Sequence, residues 1–260
     1  MILYKYIDQN SLAHFFQEDF ISMKFSPHSM FNDPFESYGY AIDDTSLVSL
    51  TMRNEINENL ACLCLSKKPL NVLMWAHYGN KHQGFVVEID TEKAGFEDNS
   101  KYLITAQNGS IEYLMARQKG SLKVDLANVY DHDIITKLLL NKSIHWSYEE
   151  EVRVIKKTNS LIRKHDILID KITNLEAITG IYIGMRNENF NEVVNGNEKL
   201  KNLIINQRVK LYRCDFKKST WDLESEEYQY VSSPHIMERI DVFSSLRQVV
   251  RAIERNHIDN

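Results

Sequence analysis

The chain has 260 residues, 43% hydrophobic and 26% charged, which excludes a disordered polypeptide and fits an ordinary globular protein. Its formal net charge of −5 excludes a strong sequence-independent hold on nucleic acid, leaving room only for a local basic patch. No apolar run approaches the ~18 residues of a membrane span, and MILYKYIDQN lacks the apolar core of a signal peptide, so a cytoplasmic protein with no membrane partner is expected.

ILYKYI reads as a first strand, and Asp8 or Asn10 is placed to cap a helix running to about Glu18 with Leu12, Phe15 and Phe16 on one face. ISMKFS reads as a second strand. FNDPFES is a turn, because Asn-Asp-Pro does not continue a helix. Residues 46–58 read as a helix and ACLCLS as a buried strand. PLNVLMWAHYGNKH has Leu70, Leu73, Met74, His77, Tyr78 and Lys81 at helical spacing, with Gly84 ending the segment. FVVEID is a strand, Asn108–Tyr113 starts another, and residues 131–143 form an Ile/Leu-rich helix. EVRVIKK, ITGIYIG and KLYRCDF follow as strands, and helical spacing returns from about His235 to Asn260. Mixed elements without regular βαβ alternation predict an α+β fold. With 9 glycines and 4 prolines there is no obvious linker. The absence of G-x-G-x-x-G, G-x-x-x-x-G-K-[ST] and H-E-x-x-H argues against Rossmann, P-loop and zincin sites.

The three cysteines, Cys62, Cys64 and Cys214, lack the C-x-x-C pairs of a zinc site, and the nine histidines show no H-x-x-x-H pair. Free buried thiols, a reducing compartment and no bound metal are expected.

Three stretches carry candidate chemistry. In FNDPFE, Asn32, Asp33 and Glu36 surround a proline; they form either an Asx turn pinned by Phe31 and Phe35 or the wall of a ligand site. In MWAHYGNKHQG, Trp75, Tyr78 and His82 fall near one helical face, with His77 beside them. This is either a packed aromatic face or a wall for a flat ring. In WSYEEEVRVI, strand alternation puts Glu149, Glu151 and Arg153 on one face and Glu150, Val152 and Val154 on the other. That face is either salt-bridged and exposed or a cleft-facing E-x-E, flanked by Trp146 and Tyr148, suited to stabilising a developing cation or deprotonating a hydroxyl.

LYKY at 3–6, FSPHSMFNDPFE at 25–36, CLS with LMWAHYGNKHQGF at 64–85, KSIHWSYEEEVR at 142–153 and IYIGMR at 181–186 together resemble the domain-of-unknown-function 2971 family. The resemblance covers roughly residues 2 to 215, so a DUF2971-like α+β domain over 1–215 is expected, with 216–260 as a mainly helical extension packed on it. Members of that family are often associated with bacterial mobile or defence regions.

More distantly, the opening strand and helix, the ACLCLS-to-GFVVEID middle section and the E-x-E strand resemble ADP-ribosyltransferase-type domains. That resemblance implies a split, mostly antiparallel sheet with flanking helices, and NAD as substrate. It implies transfer of ADP-ribose to a protein or nucleic-acid acceptor, or NAD hydrolysis, by a defence or toxin effector with a neutralising partner protein. Glu151 takes the place of the glutamate that binds the nicotinamide ribose, with Glu149 as its partner toward the acceptor. Lys5, where such domains have His or Arg, and Ser66 would hold ribose or phosphate. Tyr6, Asn32, Asp33, Trp75, His77, Tyr78 and Arg153 complete the implied cofactor-binding set. Two other readings stay open: a metal-dependent nuclease or phosphodiesterase using Asp33, Glu36, Glu149 and Glu151, and a non-catalytic sensing or adaptor module in which Glu149, Glu151 and Arg153 are structural.

Overall fold

The structure, a computed structural model, describes residues 1–17, 19–38, 40–41, 47–119, 130–206 and 208–230. Its elements in chain order are β1 (Ile2–Ile7), α1 (Ser11–Phe15), β2 (Ile21–Phe25), β3 (Tyr40–Ala41), α2 (Leu47–Asn59), β4 (Leu60–Ser66), α3 (Val72–His77), β5 (Phe85–Asp90), β6 (Glu112–Leu114), β7 (Gln118–Lys119), α4 (His132–Leu139), β8 (Asn141–Ser143), β9 (Glu151–Lys157), β10 (Ile162–Lys164), β11 (Ile167–Ile172), β12 (Ile178–Ile183), α5 (Phe190–Asn195), α6 (Glu198–Ile205), β13 (Lys210–Phe216) and β14 (Leu223–Glu227). The fold is α+β. Seven strands pair in the order β14-β13-β12-β5-β1-β4-β9, antiparallel throughout except between β12 and β13. A smaller antiparallel sheet runs β10-β11-β2. Among the described residues, no helix is long and apolar enough to cross a membrane.

Alternation along β1 divides the interior. Leu3 and Ile7 join the main core with Leu63, Phe85 and Ile181, while Tyr6 faces the other way onto Trp75, Val86 and Tyr182. Strand β9 stands at the sheet's edge, yet every residue from Glu151 to Lys156 is buried. Residues 104–111 cover that edge: Arg153 N donates to Gly109 O, and Ile111 N donates to Glu151 O. The chains approach so closely that a Cβ on Gly109 would stand 1.9 Å from Arg153 O.

Several elements differ from the sequence reading. Helix α1 stops at Phe15 because Phe16 turns to pair with Ile21. Its capping acceptor is Asp8, whose carboxylate receives Asn10 N, Ser11 N and Ser11 Oγ. Helix α3 ends at His77, since Asn80, Lys81 and His82 adopt left-handed φ of 47°, 54° and 69°. The chain doubles back there and His82 stacks on Trp75. The strand expected from Asn108 begins only at Glu112, the preceding residues serving as the edge cover. Residues 216–230 contain β14 instead of a helix, and the helical pattern from His235 lies outside the described residues. Cys62, Cys64 and Cys214 are all free thiols.

Candidate functional site

Strand β1 pairs with β5 along its whole length, but with β4 only at Tyr4↔Ser66. A cavity of about 640 Å³ opens beside that interrupted seam, within the size range of small-molecule sites. Strands β1 and β4 contribute Lys5 and Cys64 to its lining, and the small sheet contributes Ser22, Lys24, Ile167 and Ile169. Helix α3 adds His77 and Tyr78, the 30–36 segment adds Asn32 and Glu36, and residues 142–153 add Lys142, Glu149 and Glu151.

Local chemistry fixes these walls. Asn71 caps α3 by accepting Leu73 N and Met74 N, and its amide donates to Tyr148 O, so the helix and the turn before β9 hold each other. Ser66 Oγ donates to Glu149 O at 2.8 Å. The glutamate triplet is not one extended strand. Glu149 ends a 3-10 turn, Glu150 is left-handed (φ 42°, ψ 49°), and Glu151 starts β9. The left-handed residue restores the expected partition by another route: Glu149 and Glu151 are buried, while Glu150 pairs with Lys68 at the surface.

Arg153 organises the interior and is 0% exposed. Its Nε and Nη2 bind the two oxygens of Glu151 at 2.8 and 3.0 Å. Nη1 and Nη2 bind those of Glu36 at 2.9 and 2.7 Å, and Nη1 also reaches Leu139 O at 2.7 Å. All five guanidinium donors are therefore used inside the protein. Lys142 Nζ lies 2.5 Å from Glu149, 3.3 Å from Glu151 and 3.6 Å from Glu36. Burial opposes its charge, but the three carboxylates prevail and raise its pKa.

The two flanking glutamates differ. Burial pushes Glu151 up, but Arg153 and Lys142 outweigh it and hold the carboxyl at about 2. Glu149 is raised above the ordinary glutamate range, first by burial, against the pull of Lys142 and with the push of Glu151. Its Oε1 accepts the Tyr78 hydroxyl at 2.6 Å, and Asn32 Nδ2 donates to that hydroxyl at 3.0 Å. A hydrogen-bonded chain thus runs from exposed Asn32 through Tyr78 and Glu149 to Lys142. His77 packs edgewise on Tyr78 and tilted against Tyr148, with ring centroids 6.3 and 6.2 Å away.

The cavity brings together Lys5, Tyr6, Asn32, Ser66, His77, Tyr78, Glu149, Glu151 and Arg153 from the implied set, and Trp75 and Asp33 do not line it. Several of these residues have their polar groups committed elsewhere. Trp75 is fully buried, its Nε1 donating to Pro69 O, so it is core and not a ligand-facing ring. Asp33 is a turn residue whose carboxylate accepts Phe35 N. Tyr6 spends its hydroxyl on Lys68 O, and Ser66 spends its own on Glu149 O. Arg153 has no donor left for a ligand. Lys142 and Lys24 were not singled out from the sequence. Lys142 stands at the head of KSIHWSYEEEVR, and a lysine there, two residues after the apolar LLL that ends at Leu140, was the available signal of a buried cation awaiting carboxylates.

No curated protein and no solved structure matches the chain. The family model described as Protein of unknown function (DUF2971) matches residues 74–154, which hold Tyr78, Lys142, Glu149, Glu151 and Arg153, and the DUF2971 assignment made from the motifs rests on that segment.

Proposed function

We propose that the chain is an ADP-ribosyltransferase-like enzyme that consumes NAD, and that Glu149 is the carboxylate facing the reacting ribose. The observation that carries this reading is the interrupted β1–β4 seam, whose cavity collects Lys5, His77, Tyr78 and Glu149. In the reaction the bond from ribose C1′ to the nicotinamide nitrogen breaks and its electron pair leaves with nicotinamide. In this reading the Glu149 carboxylate offsets the positive charge developing on the ribose; its hydrogen bond from Tyr78, itself bonded by Asn32, supports a fixed orientation. The acceptor nucleophile, a protein or nucleic-acid group or water, then bonds to C1′ and releases a proton. A carboxyl raised by burial is suited to taking that proton. His77 and Tyr78, which both line the cavity and pack on each other, offer an aromatic wall to a flat ring. A defence or toxin role, with a macromolecular acceptor and a neutralising partner, belongs to the same reading.

Glu149 is favoured over Glu151 because Arg153 holds each oxygen of Glu151 with a charge-assisted hydrogen bond, whereas Glu149 has one such bond, from Lys142, and on its other oxygen only the neutral Tyr78 hydroxyl. The metal-dependent nuclease reading loses support for a similar reason: Lys142 Nζ already stands among Glu36, Glu149 and Glu151, and a divalent cation there would be repelled. Asp33 is committed to its turn.

The test is NAD turnover and melting temperature for wild type, Glu149→Gln and Glu151→Gln. Glu149→Gln is expected to lose ~3–4 kcal/mol of transition-state stabilisation, a rate loss of more than a hundredfold, with little change in melting temperature. Glu151→Gln is expected to lower the melting temperature as well. A Glu149→Gln protein as active as wild type would sink the assignment, and a wild type that neither binds nor consumes NAD would leave the sensing module as the better reading.

A further inference from the structure

Tyr78 and Glu149 form a hydrogen-bonded pair on the wall of the cavity. The Tyr78 hydroxyl donates to Glu149 Oε1 at 2.6 Å, and Lys142 Nζ holds Glu149 Oε2 at 2.5 Å. Asn32 Nδ2 donates to the Tyr78 oxygen at 3.0 Å. A hydroxyl on a carboxylate that a third group orients is the arrangement of a nucleophile and its base. The Asn32 amide, aimed at the phenol oxygen, stabilises negative charge as it grows there. Burial, ahead of the Glu149 carboxylate, holds the Tyr78 pKa above the ordinary phenol value. The resting hydroxyl is therefore neutral, and its proton has to leave as a bond forms.

The backbone fixes the phenol in this place. Tyr78 closes α3, its N–H donating to Met74 O at 2.8 Å. Gly79 follows against the buried Trp75, where a Cβ would stand 2.6 Å from Trp75 Cε3. Three other hydroxyls of the lining are committed to structure. Tyr6 and Ser66 donate to backbone carbonyls, which take no proton, and Ser11 donates to Asp8, whose carboxylate caps α1.

We propose that Tyr78 is a nucleophile served by Glu149, and that in the NAD reaction it carries the ADP-ribosyl group before the final acceptor does. Tyr78 Oη bonds to ribose C1′ while its proton passes to Glu149 Oε1. The bond from C1′ to the nicotinamide nitrogen breaks, and its electron pair leaves with nicotinamide. In the second step the acceptor bonds to C1′ and loses its proton to Glu149, which has returned the first proton to the departing Tyr78 oxygen. The ADP-ribosyl step rests on the NAD reading; the nucleophile and its base stand on the contacts among Asn32, Tyr78, Glu149 and Lys142.

The experiment has two arms, both on the full chain, with wild type, Tyr78→Phe and Glu149→Gln. In the first, toluenesulfonyl fluoride, whose sulfur bonds to a phenol oxygen as fluoride leaves, is added and the labelled tyrosines are located by peptide mass spectrometry. Tyr78 is expected to label at least tenfold faster than the other tyrosines of wild type, and at least tenfold more slowly in Glu149→Gln. Labelling of Tyr78 no faster than the rest, or at an unchanged rate in Glu149→Gln, overturns the nucleophile. In the second arm NAD is added and the reaction is quenched in acid. An ADP-ribosyl group on Tyr78 and a burst of nicotinamide ahead of ADP-ribose release are expected, with at least a hundredfold loss of turnover in Tyr78→Phe. NAD turnover by Tyr78→Phe at the wild-type rate overturns the covalent step and leaves the transferase. Failure of the NAD reading looks different: fast, Glu149-dependent labelling of Tyr78 with no nicotinamide released keeps the nucleophile and removes the transferase. Mapping the sites in wild type keeps the test decisive even if a variant does not fold.

Discussion

The two sides of β1 are built on opposite principles. Toward β5 the strand is joined by six consecutive backbone pairs, Ile2↔Asp90 to Ile7↔Phe85, and the interior there is apolar, aliphatic and aromatic side chains together. Toward β4 it has one pair, and side chains make the remaining connections: Lys5 to Cys64 O and, just beyond β4, Tyr6 to Lys68 O. Backbone ladders need no particular side chains, so the zipped side tolerates any residues that pack. The open side depends on named polar groups, and it is there that the cavity and its charges lie. The difference teaches that the site is obtained by withholding backbone pairing and replacing it with directed hydrogen bonds.

The sharpest way to break the open side is Arg153→Met. Methionine fills much of the volume but leaves the Glu36 and Glu151 carboxylates buried without their partner, which costs about 3–5 kcal/mol. Urea unfolding should report this as a large fall in midpoint with little change in slope. Acid attacks the same cluster more gently. Glu151 is about 4.5 in its ordinary state and about 2 when folded, so its contribution is complete above pH 4.5 and is lost as pH falls from there toward 2. Between pH 6 and pH 3 wild type should lose about 2 kcal/mol more than Glu151→Gln. Glu149, shifted upward, has the opposite sign: its contribution declines as pH rises through and above 4.5. An acid titration in which the two proteins run parallel would contradict the assignment of Glu151 as the ionised partner of Arg153.

Smaller changes refine the comparison. Tyr6→Phe removes the hydroxyl that ties β1 to Lys68 O and should lower stability by about 1 kcal/mol, read by the same urea series. At Glu150, glycine relieves the left-handed backbone while forfeiting the surface pair with Lys68. The two effects are each on the order of 0.5–1 kcal/mol and opposed, so Glu150→Gly should remain within about 0.5 kcal/mol of wild type. One triplet thus predicts three outcomes of different kinds: loss of turnover at Glu149, little at Glu150, and loss of stability at Glu151.

Periodicity carried the strands of the main sheet well, because ILYKYI, ACLCLS, FVVEID, EVRVIKK and ITGIYIG are short apolar runs buried on one or both faces. It missed β10, whose Ile162, Arg163 and Lys164 are all exposed, and β14, whose LESEE has a single buried residue. Such strands owe their existence to the partner beside them. The inward Glu149 and Glu151 were legible from alternation, although the chain reaches that arrangement through a left-handed Glu150. The saturation of Arg153 was not legible, since it depends on Glu36 and on the Leu139 carbonyl, both far away in sequence. Trp75 was misplaced because helical spacing assigns a residue to a face without saying whether that face looks into a cavity or into the core.

The tie between Glu36 and Arg153 spans 117 residues and has a consequence for how the chain acquires its fold. Glu36 emerges early and has no cation to accompany it into the interior until the β8–β9 region exists. Before then its burial is opposed by hydration of the carboxylate, and Arg153 faces the mirror problem. The β4–β9 ladder is therefore expected to close when the charges meet and not stepwise from its neighbours, which stopped-flow refolding of wild type and Arg153→Met would check. A seam of such long sequence separation is expected to slow folding and to make the cavity and its sheet appear in the same kinetic phase.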